Sequence, residues 1–471
     1  MSLLAELQDI VGVEHVLKGD ETAPYLTDWR GRYTGKALAV VRPADVEEVA
    51  AVVRVCLQFN TPIVTQGGNT GLCGGATPSN KGDAVVVLMT RLNKILEIDT
   101  DNDTITVQAG CVLQTVQEAA VQAGRLFPLS LASEGSCTIG GNLATNAGGT
   151  QVLRYGNARE LALGLQVVTA DGEIWNGLRG LRKDNTGYDL RDLFIGSEGT
   201  LGIITAATLK LYPLPVARST AFLAFNSIAD AVKVLSRARH GFGSALTGFE
   251  LISAYCLGIV AQVFPQIKLP FSPDKSPWYA LLEISDNESE DHARGRFEAV
   301  IGDALEAGEI VDAVIAETSA QSQALWHIRE SIPLAEAATG KGIKHDIAVP
   351  VSKIPEFIAH TNALLQARFP GVQHIIFGHL GDGNLHYNVG AAPGQEEGFL
   401  SLQKDVYKIV FDSVYAVNGS ISAEHGIGQL KKDLLIDYKD EVELALMRKI
   451  KRVLDPHALF NPGKVISSVE F

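Results

Sequence analysis

Three glycine-rich segments lie between residues 67 and 205, and they constrain the fold of this chain more than any other feature. The first, Gly67–Gly75, holds five glycines in nine residues, and similar segments follow at Gly135–Gly149 and Gly196–Gly202. Glycine loses more conformational freedom on folding than any other residue, so such runs are unfavourable inside helices or strands. They are typical of places where backbone N–H groups approach a phosphate. Together they indicate a long ligand, such as a dinucleotide, lying against exposed backbone.

The elements around the first segment predict alternating strands and helices. Residues 37–41 and 62–66 are short apolar runs typical of strands. Between them, Asp45 followed by Glu48 predicts the start of a helix. The glycine loop is neither a P-loop nor a GxGxxG fingerprint. For this loop alone, an elaborate surface turn remains an alternative.

A change of composition after Pro213 and Pro215 predicts a domain boundary. Beyond it, strands such as 220–225 and 278–284 alternate with helices such as 228–240 and 290–307, which predicts an α+β domain. The predicted domains are 1–215, 216–425 and a C-terminal helical segment, 426–471.

A polar ribbon at residues 377–389 reads as two strands joined by a turn at Gly381-Asp-Gly383. If Leu380 faces Leu385, then His379 faces His386, and Asn388 lies on the same side of the ribbon. A carboxylate from Glu424-His425 could complete a ligand set that leaves a divalent ion open to substrate. If the two histidines are considered without Glu424, the alternative is that hydrogen bonds satisfy both imidazole rings and no metal binds there.

Length, charge and cysteine usage exclude several classes of protein. A chain of 471 residues predicts two or three domains. Its net charge of −14 argues against nucleic acid or an anionic membrane as a partner. No apolar run reaches the length of a membrane helix, and the first residues lack a secretory pattern. Five scattered cysteines are typical of reduced thiols, so we expect a cytoplasmic location.

From about residue 37 onward, these segments resemble the 2-hydroxyacid dehydrogenase branch of the vanillyl-alcohol oxidase/p-cresol methylhydroxylase superfamily. The resemblance implies an α+β fold with a two-subdomain FAD-binding domain and an α+β cap built on an antiparallel sheet. No histidine occurs between His15 and His240, so FAD is expected to bind without a histidyl linkage in the first domain. The residues expected to bind FAD are Gln66, Gly67, Gly68, Asn69, Thr70, Gly71, Leu72, Gly75, Pro128, Ser133, Gly135, Thr138, Ile139, Gly140, Gly141, Asn142, Thr145, Asn146, Gly148, Gly149, Glu198, Gly199, Gly202, Ile203, Asn461 and Lys464.

The same resemblance implies roles for residues of the second half. Arg329, Lys344, Asn388 and His425 are expected to bind substrate, with His425 also the catalytic base. The metal ligands are expected to be His379, His386 and Glu424, and the metal zinc. Two positions depart from the family of D-2-hydroxyglutarate dehydrogenases. Pro333 stands where those enzymes carry threonine, and His345 replaces a more usual aromatic residue.

The expected function is FAD-dependent oxidation of a D-2-hydroxy acid, with D-2-hydroxyglutarate as the first candidate. The D preference comes from the resemblance alone. Electrons are expected to pass to an electron-transfer flavoprotein or a quinone, because no NAD fingerprint is present. D-lactate or glycolate is the alternative substrate, and a metal-dependent protein without redox activity is the alternative class. The oligomeric state is left open, with a homodimer as one alternative.

Overall fold

The structure is a computed structural model that describes residues 1–466. The chain divides into two compact units. Unit 1 comprises Met1–Gly149, Gly156–Leu214 and the described residues from Glu424 onward, and unit 2 comprises Thr150–Tyr155 and Pro215–Ala423. Residues 467–471 of the predicted C-terminal segment lie outside the described residues.

Helices and strands alternate along most of the described chain. The strands are β1 Val16–Leu17, β2 Ala39–Val41, β3 Ile63–Gln66, β4 Val85–Leu88, β5 Ile95–Asp99, β6 Thr104–Gln108, β7 Arg125–Leu126, β8 Ala162–Val168, β9 Ile174–Gly177, β10 Ile203–Lys210, β11 Tyr212–Pro213, β12 Ala217–Phe225, β13 Leu246–Ser253, β14 Trp278–Asp286, β15 Asp312–Ile315, β16 Asp346–Ala348, β17 Gln373–His379 and β18 Asn384–Gly390. The α-helices are α1 Leu3–Val11, α2 Val46–Gln58, α3 Leu113–Gln122, α4 Ile139–Ala144, α5 Val152–Tyr155, α6 Ala158–Leu161, α7 Arg191–Phe194, α8 Ile228–Phe242, α9 Ala254–Val263, α10 Glu290–Glu306, α11 Ser319–Thr339, α12 Ile354–Arg368, α13 Gln403–Ala416, α14 Leu435–Tyr438 and α15 Glu441–Leu454.

A four-stranded sheet forms the first part of unit 1, in the order β1-β2-β4-β3. Strands β2, β4 and β3 run parallel, and β1 is antiparallel to β2. All four residues of β4 are buried, as expected for a parallel strand covered on both faces. Helix α2 begins where predicted, because the Asp45 side chain accepts the backbone N–H of Glu48.

The second part of unit 1 is a five-stranded antiparallel sheet in the order β5-β6-β10-β8-β9. Strands β8 and β9 form a hairpin around Asp171-Gly172, where Gly172 has a φ of 73°. The short strands β7 and β11 pair separately. The two larger sheets of this unit agree with the predicted two-subdomain domain.

The C-terminal residues complete the first sheet. The backbone N–H of Ile63 donates to Leu459, and that of Asn461 donates to Ile63, at 2.8 and 2.7 Å. Buried Asp455 holds this turn by accepting the N–H groups of Leu459 and Phe460. Residues nearly 400 positions from β3 along the chain therefore border it.

Unit 2 is built on a seven-stranded antiparallel sheet in the order β15-β12-β14-β13-β17-β18-β16. Helices α9 and α11 bury apolar side chains against it, including Leu257, Ile328 and Ile332. The sheet with its helices confirms the predicted α+β cap. Within residues 1–466, no helix combines the length and apolar character needed to cross a membrane.

Candidate functional site

The first two glycine-rich segments pack directly against each other in unit 1. A Cβ atom on Gly68 would lie 1.9 Å from the carbonyl oxygen of Ser136, and one on Gly67 would lie 2.2 Å from Oγ1 of Thr138. A Cβ on Gly140 would lie 2.6 Å from Cβ of Ala109. These glycines are therefore required by the close approach of two backbone segments.

A cleft opens beside these segments. Sixteen residues predicted to bind FAD line it: Gly67, Gly68, Asn69, Thr70, Gly71, Leu72, Gly75, Thr138, Gly140, Gly141, Asn142, Thr145, Glu198, Gly199, Gly202 and Ile203. Nine further lining residues were not predicted for this role: Thr65, Cys73, Ala76, Met89, Ala109, Ala144, Ser197, Ile204 and His425. No local sequence signal shows whether apolar residues such as Met89 and Ile204 line a cleft or lie in the hydrophobic core.

The other ten predicted FAD-binding residues are outside this lining: Gln66, Pro128, Ser133, Gly135, Ile139, Asn146, Gly148, Gly149, Asn461 and Lys464. Several of them hold the cleft together. Gln66 Nε2 donates to the carbonyl groups of Tyr25 and Ala76, and Asn461 Nδ2 donates to those of Gly75 and Glu198.

Lys464 is buried, and its ammonium group donates to the carbonyl of Thr77 at 2.7 Å. Burial, assisted by the positive charge of Lys432, lowers the pKa of Lys464 to about 7. Its observed contact is therefore with the backbone beside the glycine loop.

The cleft has the features expected of a site for a polar cofactor. Thr65 Oγ1 and Thr138 Oγ1 are buried and lack hydrogen-bond partners within the described residues. A Cβ on Gly71 would meet no described atom within 4 Å, and so would project into open space. Buried hydroxyl groups normally have partners. Two hydroxyl groups without partners among the described residues, next to glycine backbone that carries no side chain, therefore fit a ligand such as FAD.

Glu198 connects the cleft to the C-terminal segment of unit 1. Its carboxylate accepts the N–H groups of Ile427 and Gly428 at 2.7 and 2.8 Å. Burial outweighs these hydrogen bonds and raises the pKa of Glu198. Gly426 and Gly428 have φ values of 79° and 53°, and a Cβ on Gly426 would lie 2.7 Å from Glu198 Oε1. Both glycines are thus needed for the turn that follows His425.

His425, the predicted base, lines the same cleft. Its Nε2 atom lies 3.5 Å from Oε1 of Glu424. The other oxygen of Glu424 accepts the backbone N–H of Gly149 at 3.3 Å. The end of the second glycine-rich segment therefore orients the carboxylate that neighbours this histidine.

The polar ribbon of unit 2 has a different register from the one predicted. His379 pairs with Asn384, and His386 pairs with Phe377, so the two histidines are diagonal rather than opposite. The turn closes one residue earlier because the Gly383 N–H donates to His379 and Asp382 accepts from the Asn384 N–H. Both rings nevertheless lie on one face, with centroids 5.6 Å apart.

His379 belongs to a buried charged cluster with Glu250 and Arg329. Glu250 is 1% exposed, accepts from Arg329 Nε at 2.8 Å, and has its second oxygen 2.6 Å from His379 Nδ1. Burial by itself would raise the pKa of Glu250, but His379 and Arg329 outweigh it and lower this pKa to about 2. The arrangement directs Nε2 of His379 away from Glu250, as in metal-binding histidines oriented by a carboxylate.

Lys344 and Asn388 share a second buried carboxylate, that of Glu336. Glu336 Oε2 accepts from Lys344 Nζ and from Asn388 Nδ2, both at 3.0 Å. Asn388 Oδ1 in turn accepts the backbone N–H of His345. Both residues predicted to bind substrate are therefore fixed by one glutamate of α11. Pro333, one turn before it, is exposed.

Glu250, Glu336 and Asp346 were not predicted as site residues. Asp346 pairs with His386 across β16 and β18, and their ligand atoms lie within 4.8 Å of each other. Glu250 stands as a single charge in an apolar strand, and Glu336 lies two helical turns after Arg329. For Glu250 and Glu336, the available signal was a charged residue with apolar residues on both sides of it in the sequence.

The comparisons with known proteins agree with this geometry. A family described as FAD linked oxidases, C-terminal domain, matches residues 214–465, and one described as FAD binding domain matches residues 37–177. A D-2-hydroxyglutarate dehydrogenase of Xanthomonas citri pv. viticola is 41% identical, covering 94% of this chain and 92% of that protein. The mitochondrial D-2-hydroxyglutarate dehydrogenase of Bos taurus is 36% identical over 98% of this chain and 83% of its own. The solved structure of p-cresol methylhydroxylase with substrate bound is 17% identical with a TM-score of 0.79, covering 100% of this chain and 97% of that one.

Proposed function

The chain belongs to the FAD-linked oxidase family and is an FAD-dependent oxidoreductase, and on this premise we propose that it oxidises a D-2-hydroxy acid to the 2-oxo acid. D-2-hydroxyglutarate is the first candidate substrate, since relatives at 36–41% identity carry that name. Family membership removes the alternative of a metal-dependent protein without redox activity. The observation that carries the proposal is His425, a proton acceptor, in the wall of the glycine-rich cleft.

FAD would be held by the lining residues of that cleft, and the supporting evidence is its bare backbone and buried hydroxyl groups. Bound FAD would supply the hydride acceptor, its N5 atom. The residues of the chain would bind the acid, orient its C2 hydrogen and remove the hydroxyl proton. In this proposal His425 accepts that proton.

Arg329 and Lys344 would bind carboxylate oxygens of the substrate. Glu250 occupies Nε of Arg329, so the two Nη groups would form the bidentate contact typical of arginine. Lys344 and Asn388 would add two donors whose positions Glu336 sets. Fixed donors of this kind determine which face of C2 is presented for reaction.

A divalent ion is proposed on His379, His386 and Glu424, with zinc as the expected metal. The donor chemistry supports it: two neighbouring imidazoles, one oriented by Glu250, with Asp346 beside the other. Two imidazoles and a carboxylate form the ligand set of open, catalytic sites. A bound ion would lower the pKa of the substrate hydroxyl and stabilise the alkoxide.

An external acceptor, either an electron-transfer flavoprotein or a quinone, would reoxidise the flavin. A cytoplasmic location also stays a prediction, since the relatives include both bacterial and mitochondrial proteins. D-lactate or glycolate remains the second candidate substrate. The observation that favours it is Pro333, whose side chain cannot donate a hydrogen bond to a distal carboxylate.

Anaerobic flavin bleaching with a panel of D- and L-2-hydroxy acids tests the proposal. We expect D-2-hydroxyglutarate to bleach the oxidised flavin and L-2-hydroxyglutarate to leave it unchanged. Bleaching by D-lactate with no response to D-2-hydroxyglutarate would make the second candidate correct. Absence of bleaching by every acid in the panel would refute 2-hydroxy acid oxidation altogether.

A further inference from the structure

Glu336 is a buried carboxylate that the proposed reaction does not itself use. It lies on α11, is 1% exposed, and binds Lys344 and Asn388 through the same oxygen. Its other oxygen, Oε1, is buried and has no hydrogen-bond partner within the described residues. A carboxylate placed so deeply is kept only when the charge it carries is compensated. Lys344 is the compensating cation.

The ion pair changes what Lys344 can offer a substrate. The Lys344 side chain is 25% exposed whereas that of Glu336 is 1% exposed, so the cation faces outward and its counter-charge lies behind it. Two N–H groups of the ammonium remain for a ligand, but the pair as a whole has no net charge. Arg329 is matched in the same way by Glu250.

We infer that Glu336 is a specificity-determining residue, which limits the preference of the enzyme for 2-hydroxy acids with a second carboxylate. Because Glu336 cancels the charge of Lys344, this subsite attracts a carboxylate less strongly than a lone lysine would. The Lys344 ammonium, when paired with Glu336, donates hydrogen bonds to a neutral amide or hydroxyl group almost as well as to a carboxylate. The inference rests on the proposed function, which places Lys344 at the substrate.

The test compares two substrates of one shape, D-2-hydroxyglutarate and its γ-amide, which differ by one charge. The quantity measured is the ratio of their kcat/KM values, acid over amide, with an artificial electron acceptor. Glu336→Gln keeps the shape of the side chain and removes its charge. We expect this variant to raise the ratio about tenfold, the effect of one unit charge a few ångströms from a carboxylate in a partly exposed site.

Two further variants separate charge from structural support. Lys344→Gln leaves Glu336 uncompensated and should lower the ratio, and the double variant should return it close to the wild-type value. A purely structural role would impair both substrates alike in every variant. Glu330→Gln removes a charge from the exposed side of the same helix and should leave the ratio unchanged.

Flavin content and melting temperature show whether each variant is folded. If Glu336→Gln alone does not fold, the double variant decides: a ratio above that of Lys344→Gln supports the inference, and a ratio equal to it overturns the inference. If Glu336→Gln folds, a ratio in this variant within twofold of wild type overturns the inference and leaves the proposed function intact. If neither substrate bleaches the wild-type flavin, the proposed function fails and the inference fails with it.

Discussion

Replacing Glu250 by glutamine should destabilise unit 2 and weaken metal binding at the same time. The native carboxylate accepts from both Arg329 and His379. Glutamine has one carbonyl oxygen and one amide group, so it can accept from only one of these donors. The amide would then face His379 Nδ1 as a donor and favour the tautomer with its proton on Nε2, the atom that would bind a metal.

The magnitude follows from the burial of the cluster. Removing one partner of a buried ion pair costs about 3–5 kcal/mol because the other charge stays uncompensated. The retained carbonyl oxygen recovers about 1 kcal/mol of this through a single hydrogen bond. We therefore expect the free energy of unfolding to fall by about 3 kcal/mol. Loss of the group that orients a metal-binding histidine typically lowers metal affinity about 10–100-fold.

Urea unfolding of chelated protein, followed by far-UV circular dichroism, measures the first effect, and competition with a chromophoric chelator measures the second. Glu283→Gln is the matched control. Glu283 is buried on the neighbouring strand β14, but its hydrogen-bond donors, Trp326 and Thr220, are neutral. Glutamine can replace it at a cost of about 1 kcal/mol. Equal losses of stability in the two variants, or unchanged metal affinity in Glu250→Gln, would refute the reasoning.

Four other substitutions have defined outcomes. Gly68→Ala should abolish FAD binding and lower the melting temperature, because its Cβ would overlap the Ser136 carbonyl. Gly71→Ala should weaken FAD binding but leave the melting temperature of the FAD-free protein unchanged, because its Cβ would meet open space. His386→Ala should lower kcat far more than FAD content, as measured by turnover and by flavin absorbance. Lys464→Met should change the pH dependence of stability. The wild-type Lys464 loses its proton near pH 7 when folded and near 10.5 when unfolded, so wild-type stability should rise relative to the variant as pH increases from 7 to 10.5.

Each of these outcomes can fail in a recognisable way. Equal FAD affinity of Gly71→Ala and wild type would mean that FAD does not lie against that part of the loop. Full activity of the His386→Ala variant after chelation would refute the proposal that a metal takes part in the reaction. Parallel curves of melting temperature against pH for Lys464→Met and wild type would refute the assigned pKa.

Local patterns predicted the elements that carry the site. The strand, helix and strand around α2 follow from two short apolar runs and from Asp45 as a cap, signals that act within a few residues. The antiparallel cap was predicted in the same way from its separate strands. The glycine-rich segments predicted a ligand lying against exposed backbone, because five glycines in nine residues are unfavourable inside a helix or strand.

What the sequence could not predict depends on long-range contacts or on single backbone angles. Glu250 meets Arg329 across 79 residues of chain, and Glu336 meets Asn388 across 52, so no local pattern connects them. The register of the polar ribbon depends on the turn, in which Gly383 has a φ of 86°. One residue of difference in loop closure moves the partner of His386 from His379 to Phe377.

The pairing of the C-terminal residues with β3 has a consequence for biosynthesis. Ribosomes produce chains from the N-terminus, and domains tend to fold as they emerge. Residues 459–461 follow β3 by nearly 400 positions and emerge long after it, yet they border that strand. The contiguous stretch from Pro215 to Ala423 is fully synthesised before unit 1 can be completed. A chain that ends before residue 459 should therefore lack the border of β3 and the hydrogen bond from Asn461 to the glycine loop, so that cofactor retention reports on translation through this segment.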